Sequence, residues 1–436
     1  MIFEVNKKEF IRAMGPAIEV ASTNTLKDFK YENLVTIKAE EHQVVLLAFG
    51  GNLSLISPIS SKNFGSIDYK CEEEGQTTVY SADLWKYCNA LPDNYDKIKI
   101  HLESNELKLS LASDSVKGKK GNTQRTMETL SEIVRPPNLG ETFDQDIEIN
   151  REIFVNGIDS VIFAPAYEEK QFSYMCMLFE VSAPTDTKQE VKFSAGTGGR
   201  FAIKSVNGDK IINNNSDARM IFPKDSLSTI SKLLSNAQQG YVNVKSIGVD
   251  KGNGIAEHIM IEFDGMILCI FGLDHFTKYP DLSKIINHKY SNRVFSSLKD
   301  WKSIEKTIDA SRNRWGDSIH NTEINVDIDE SIIQVTPKIP GANPTFIDMD
   351  DKDCVVKGEK VWFRCNSDYL REMVVQGSGK GKVQFNFESQ EVLKDIKDEK
   401  QAQKAMKPIL VKFEEDVDKA RNTVDNFYMF FSVSNK

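Results

Sequence analysis

Apolar residues recur along this chain in two alternating rhythms, and the changes of rhythm themselves repeat. Phe3-Glu4-Val5 alternates as a strand does, and Asn6-x-x-x-Phe10 then opens a helical stripe at Phe10, Met14 and Ile18. The succession returns as Ile147-Glu148-Ile149, Asn150 and the stripe Phe154, Ile158, Ile162. A softened third copy reads Arg293-Val294-Phe295, Ser297 and Trp301, with Ile304 and Ile308 behind it. Asparagine and serine suit a helix start because the side-chain oxygen accepts a bond from a backbone N–H that lacks a partner in the helix. A second marker keeps the period: Leu84, Leu227 and Leu370 each sit in a short amphipathic segment, 143 residues apart. Repetition at this length implies three domain-sized units, each able to bury its own core, rather than a solenoid. The expected divisions are 1–143, 144–288 and 289–436.

Within the first unit the pattern predicts a strand at Ile2 to Val5 and a helix from Lys7 to about Ala21. Strands follow at Leu34 to Ala39, Val44 to Phe49 and Leu53 to Ile59, and a second helix opens at Ser81 and ends near Leu91-Pro92. Ile98, Ile100, Leu102 and then Leu107, Leu109, Leu111 form a hairpin with one apolar face. The second unit repeats the order: a helix from Arg151 to about Phe163, then strands at Met175 to Val181, Val191 to Ala195 and Phe201 to Lys204. Its second helix begins at Pro223 with Leu227, Ile230 and Leu234 as the buried face, and a hairpin turns at Asp264-Gly265. The phrases Pro137-Asn138-Leu139 and Pro280-Asp281-Leu282 close these two units. The third unit has its hairpin at Ile324 to Val335, a strand at Val361 to Phe363, a helix over Asp368 to Val375 and a strand at Val383 to Phe387. A Lys-rich stretch near 391–407 has no counterpart and reads as an inserted surface helix, and Phe427 to Val433 reads as a terminal strand. The fold class expected is α+β, with helices and antiparallel sheets in each unit.

Composition narrows the function classes. A net charge of −9 argues against a protein coated in positive charge, while leaving room for a local basic face on an acidic body. No apolar run approaches the roughly 18 residues of a membrane span, and the N-terminus has no signal-peptide pattern. The six cysteines form no C-x-x-C pair and read as buried free thiols in a reducing, cytoplasmic compartment. Gly196-Thr197-Gly198-Gly199-Arg200 invites a phosphate-loop reading, but a strand rather than a helix follows, so a turn between strands is expected. Asp348, Asp350, Asp351 and Asp353 resemble the start of a calcium loop, but Lys352 takes a ligand position and Asp353 stands where glycine is needed. The six histidines show no metal spacing, and no serine or thiol sits in a nucleophile pattern. No enzyme, cofactor or metal is expected.

Local phrases then carry a resemblance. Cys176-Met177-Leu178-Phe179-Glu180 is similar to a G-M-L-F-E strand, and Ser194 to Ala202 to an A-T-D-G-H-R-L-A turn. Ile221-Phe222-Pro223-Lys224 matches V-x-P-[RK], and Tyr279-Pro280-Asp281 matches F-P-D-Y. In this order and spacing, over nearly the whole chain, they resemble the bacterial DNA polymerase III beta sliding clamps. That resemblance implies a homodimer of two copies closed head to tail into a ring, with helices around duplex DNA and sheets outside. It implies a processivity factor that tethers the replicative polymerase and is placed on DNA by an ATP-dependent clamp loader. The alternative is a monomeric, clamp-fold peptide-binding scaffold that does not encircle DNA.

The resemblance also implies sites. Basic residues on the helices become candidates for DNA: Lys8 and Arg12 opposite the first apolar stripe, Lys86, Lys224 and Lys232 on the second helices, and Lys299, Lys302 and Lys306 in the third unit. Sliding needs only non-specific, salt-screened attraction to phosphates. A hydrophobic pocket for partner peptides would use Tyr174, Gly198, Arg200, Phe201, Pro223, Leu227 and Tyr279, with Met429, Phe430, Phe431, Ser432 and Val433 of the last strand. The chain departs from the family there. The terminal strand lacks the family's proline, Gly199 replaces a histidine and Phe201 a leucine. Larger aromatics imply a narrower groove. The subunit joint is expected to use strand edges, with the Ile98 to Leu111 hairpin as the edge in the first unit.

Overall fold

A computed structural model of the chain describes residues 1–23, 33–59, 69–91, 96–103, 106–112, 125–130, 142–165, 175–182, 188–197, 199–209, 212–213, 217–249, 256–271, 279, 282–315, 321–327, 329–338, 343–349, 354–356, 361–377, 381–388, 408–414, 416–418 and 423–431. The chain begins with β1 (Ile2–Asn6), α1 (Lys7–Ala21), β2 (Leu34–Glu40), β3 (Gln43–Gly50), β4 (Leu53–Ile59), β5 (Tyr69–Glu73), β6 (Gly75–Tyr80) and α2 (Ser81–Asn89). Next come β7 (Lys97–Glu103), β8 (Glu106–Ala112), β9 (Arg125–Glu128), β10 (Gln145–Asn150), α3 (Arg151–Val161), β11 (Cys176–Val181), β12 (Lys188–Gly196) and β13 (Arg200–Asp209). Then follow β14 (Ile212–Asn213), β15 (Ala218–Pro223), α4 (Lys224–Ser235), β16 (Tyr241–Ile247), β17 (His258–Phe263), β18 (Met266–Ile270), α5 (Ser283–Ile286), β19 (Asn292–Ser297) and α6 (Leu298–Trp315). The last elements are β20 (Asn321–Asp327), β21 (Ile332–Pro337), β22 (Thr345–Asp348), β23 (Val361–Asn366), α7 (Ser367–Gln376), β24 (Lys382–Phe387), β25 (Ile409–Phe413), β26 (Asp416–Asp418) and β27 (Thr423–Phe431).

The two asparagine caps expected from sequence are made. Asn6 accepts from the N–H groups of Lys8 (3.0 Å) and Glu9 (3.2 Å), and Asn150 from those of Glu152 (3.0 Å) and Ile153 (3.2 Å). Asn366 does the same for Asp368 at the start of α7. The stripes drift as a 3.6-residue period requires: α1 buries Phe10, Met14, Ala17 and Val20, leaving Ile18 half-buried, and Val161 rather than Ile162 is buried in α3. Pro223 does not open α4 but ends β15 and stands at the N-cap position, without a side-chain bond, of the helix that starts at Lys224.

Contacts group the chain into two compact units, Met1–Asn156 with Ile212–Thr277, and Gly157–Ile211 with Lys278–Lys436. In the first, one sheet has the order β5-β1-β7-β8-β9 and a second β14-β10-β16-β17-β18-β4-β3-β2-β6. Phe3, Phe10, Phe154, Phe222 and Phe263 are among its fully buried side chains, and the rings of Phe154 and Phe222 meet edge-on at 5.9 Å. Lys7 is buried and its ammonium donates to the Leu91 carbonyl at 2.8 Å, tying the start of α1 to the chain just beyond α2. In the second unit one sheet runs β11-β12-β13-β27-β25-β24-β19, with β26 beside β27, and another runs β22-β21-β20-β23. Trp301 is fully buried under this layer, 4.8 Å from the Phe385 ring, and its indole N–H is satisfied by Ser296 Oγ at 2.8 Å.

The sheets explain why the compact units do not coincide with the repeat. By the repeat's spacing β18 corresponds to β9, and β4 corresponds to β13 and β22. Strand β18 pairs antiparallel with β4 (Ile267 opposite Ile56, Ile270 opposite Leu53), fusing the β10, β14 and β16–β18 part of the second repeat to the first. Strand β27 pairs likewise with β13 (Phe427 opposite Lys204), fusing the third repeat to the rest of the second, with Lys204 to Asp425 at 2.9 Å across that joint. The expectation that the Ile98 to Leu111 hairpin is the edge of the first repeat is corrected: β9 covers β8, pairing Glu106 with Glu128 and Leu109 with Arg125. The edge is β9 itself.

Candidate functional site

A polar knot forms in the second unit where β13 begins. The backbone closes a tight turn, with Thr197 N–H donating to Arg200 O at 2.7 Å and Gly199 N–H to Thr197 Oγ1 at 3.1 Å, which is the turn between strands that the sequence suggests. Gly196 has to be glycine, since a Cβ there would lie 2.3 Å from the Arg200 carbonyl oxygen and from the Phe201 ring. Emerging from this turn, the Arg200 guanidinium donates to the carbonyls of Phe163 (2.9 Å) and Ala164 (3.4 Å) and to the Glu372 carboxylate on α7. The rings of Phe163 and Tyr369 flank it, with centroids 5.9 and 5.6 Å away. Burial pushes the Glu372 carboxyl above its usual range, with Arg200 opposing the shift, and one carboxylate oxygen is buried without a hydrogen-bond partner. Burial likewise raises the Tyr369 hydroxyl.

Of the residues expected to line a pocket, the structure gathers five beside this knot's strands: Phe201, Tyr279, Met429, Phe430 and Phe431. Phe201 joins Ile203, Leu282 and Leu410 in a cluster on which Ile285, Ile286, Tyr290 and Tyr428 pack. Tyr279 is buried with its hydroxyl bonded to the Ser194 carbonyl at 2.8 Å, and Met429 is buried opposite Ala202. Backbone register sets Phe430 opposite Phe201 and Phe431 opposite Arg200. Tyr174, Gly198, Ser432 and Val433 lie outside the described residues, as do the 391–407 insertion and Asp350, Asp351 and Asp353 of the acidic loop. Pro223 and Leu227 belong to the first unit, where Leu227 is fully buried among the core-facing residues of α4 and offers no surface to a ligand. Phe163, Tyr369 and Glu372 are not legible as site residues in the sequence. Glu372 lies 172 residues from Arg200, and a charge between Leu370 and Met373 on an amphipathic helix reads as a solvated face.

Arg200→Ala is expected to cost roughly 2–3 kcal/mol, less than a fully buried pair because each partner is about a fifth exposed. It leaves a buried carboxylate uncompensated, so the folded-state pKa of Glu372 rises further above the unfolded value. Stability of the variant should therefore fall as pH rises through that raised pKa, and adding Glu372→Gln should remove the slope in urea titrations at several pH values.

The basic candidates fare unequally. Lys8 and Arg12 project from the exposed side of α1, with Glu9 3.7 Å from Arg12. Lys299, Lys302 and Lys306 are exposed on α6, opposite Trp301, Ile304 and Ile308, and Lys86 is exposed on α2. Lys224 is half-buried, and Lys232 is held by Glu19 on α1 in the first unit, where Thr23 and Thr229 also bond at 2.9 Å. The buried thiols are poor nucleophiles: burial pushes Cys88 and Cys269 up to about 12. Among the described residues no helix is long and apolar enough to cross a membrane.

No protein-family model matches the sequence, nor does any curated protein sequence. Solved structures do. The DNA polymerase III subunit beta from Pseudomonas aeruginosa is similar over 99% of both chains, at 16% identity and a TM-score of 0.72. A DNA polymerase sliding clamp from Caulobacter crescentus is similar over the whole of both chains, at 14% identity and 0.73. A DNA polymerase III beta chain from Streptococcus pneumoniae is similar over the whole of both, at 16% and 0.73. From end to end, then, this chain has the α+β fold of the DNA polymerase III beta sliding clamps, in a divergent sequence.

Proposed function

We propose that the chain is a non-catalytic DNA sliding clamp, in which two copies encircle duplex DNA and tether a replicative polymerase. The observation that carries this reading is the state of the sheet edges. Two joints of one kind, β18 with β4 and β27 with β13, sit inside the chain. Their repeat-equivalents β9 and β22 pair, among the described residues, only with β8 and β21. Each end of the chain thus carries half of the same joint, and Phe346 on β22 is 63% exposed. An open edge of this sort is a template for another strand, and β9 of one copy against β22 of the next closes both ends in a head-to-tail pair. Light scattering should give twice the chain mass; a persistent monomer would favour a scaffold that does not surround DNA.

In this reading Lys8, Arg12, Lys86, Lys299, Lys302 and Lys306 attract the phosphates, and the site around Arg200 and Phe201 receives peptides of the polymerase and of an ATP-dependent clamp loader. Three repeated domains divided near 143 and 288 remain the evolutionary unit, and Lys224 and Lys232 contribute least because of their burial and pairing. Replacing Lys8, Arg12, Lys302 and Lys306 by glutamate should weaken retention on DNA without unfolding the chain. It should flatten the logarithmic salt dependence by about 0.9 for each phosphate that is no longer neutralised. An unchanged salt slope would mean that these faces do not meet DNA.

A further inference from the structure

The solvent side of α2 carries a feature that phosphate attraction does not use. Ala82, Trp85, Lys86 and Asn89 are all exposed and fall at i, i+3, i+4 and i+7, one continuous stripe of the helix, while Ser81, Leu84 and Cys88 face the core. Trp85 is 38% exposed, so its indole plane is open to solvent. Asn89 donates to the Trp85 carbonyl at 2.9 Å, which leaves its own carbonyl oxygen on the same stripe. The acidic residue of this helix, Asp83, lies off the stripe.

The repeat locates the indole more closely. Trp85 follows Leu84 as Arg371 follows Leu370, and Arg371 reaches from α7 to Asp309 on α6. That position therefore overlooks the seam between the two helices of a repeat, and in the first repeat the seam lies between α2 and α1. On α1 itself a Cβ on Gly15 would meet nothing within 4 Å. The same helix supplies Lys8 and Arg12 to its exposed side. An aromatic plane with an ammonium at the next residue and further cations on the adjoining helix has the composition of a base-stacking platform on nucleic acid.

We infer that Trp85 stacks on an unpaired base, so that the α1–α2 face distinguishes single-stranded DNA, such as the template beyond a recessed primer end, from continuous duplex. Paired bases are closed to stacking from the side, so a duplex gains only the phosphate contacts of Lys8, Arg12 and Lys86. The inference rests on the proposal that this face meets DNA.

Fluorescence anisotropy with labelled oligo-dT, a blunt duplex and a duplex with a single-stranded 5′ overhang tests it. Trp85→Ala should weaken binding of oligo-dT and the overhang probe by about 5- to 150-fold, the range for one stacked base, with the blunt duplex unchanged. Trp85→Phe should keep most of the binding, and oligo-dT should quench wild-type tryptophan emission more than that of Trp85→Phe. Equal binding by Trp85→Ala and wild type, or an equal loss on all three probes, overturns the inference. So does a changed mass of Trp85→Ala in solution, which would assign the indole to a contact between copies. Retention on circular DNA separates the two claims. A chain retained on circles whose Trp85→Ala variant binds oligo-dT normally loses the stacking alone. A chain that is not retained, yet binds oligo-dT through Trp85, loses the ring alone.

Discussion

Phe346→Asp is expected to convert a dimer into a folded monomer. Residues of β22 alternate as an edge strand with one covered face: Ile347 is buried, while Phe346 and Asp348 are exposed. Within its own chain the Phe346 side chain is mostly in solvent, so an aspartate there leaves the core intact and should keep thermal unfolding of the monomer within a few degrees of wild type. At a joint between copies the same position becomes central and desolvated, where loss of an aromatic anchor costs about 2–4 kcal/mol, a dimer weakened by roughly 30- to 1,000-fold. A buried carboxylate without a partner adds to that cost. Thr126→Asp on the exposed side of β9 should act in the same direction. Sedimentation or light scattering across a dilution series reads the result, and a chain that stays dimeric with both substitutions would show that the joint is made elsewhere.

The second large effect falls on stability. Leu227→Asp should unfold the first unit, at a cost above about 4 kcal/mol, rather than weaken one partner's binding. Leu227 has no exposed surface and shares the buried face of α4 with Ile230, Leu233 and Leu234, so the carboxylate would be taken out of water among apolar side chains. Circular dichroism with thermal melting decides this. A Leu227→Asp variant that melts like wild type yet fails to bind a polymerase would restore this residue to a binding surface. Leu227→Ala, expected to cost roughly 2–5 kcal/mol, gives a graded companion that remains measurable.

How far the sequence can be read depends on whether a feature is local. Asn6 and Asn150 announce their helices because a cap is made within three residues, and the alternation of Ile98 to Leu111 announces its hairpin because both strands share one face. Strands without such a face are invisible. Tyr69–Glu73, Arg125–Glu128 and Asp416–Asp418 are short, polar and defined by their neighbours, and one of them is the edge that matters. The Arg200 site is half legible. The turn that launches Arg200 is written in its glycines, whereas Glu372 and Tyr369 reach it from α7 and Phe163 from the chain beyond α3, and no local pattern announces those contacts. Leu227 is the opposite case: an apolar residue expected as a groove wall is, on α4, fully buried.

In the proposed function the chain holds DNA by surrounding it. The most direct measurement loads the wild-type chain onto nicked circular duplex DNA, isolates the complex by gel filtration in salt high enough to suppress phosphate attraction, and then linearises the DNA. A ring should stay with the circle and leave from the new ends. Retention that survives linearisation, or release from the intact circle at the same rate, would contradict it.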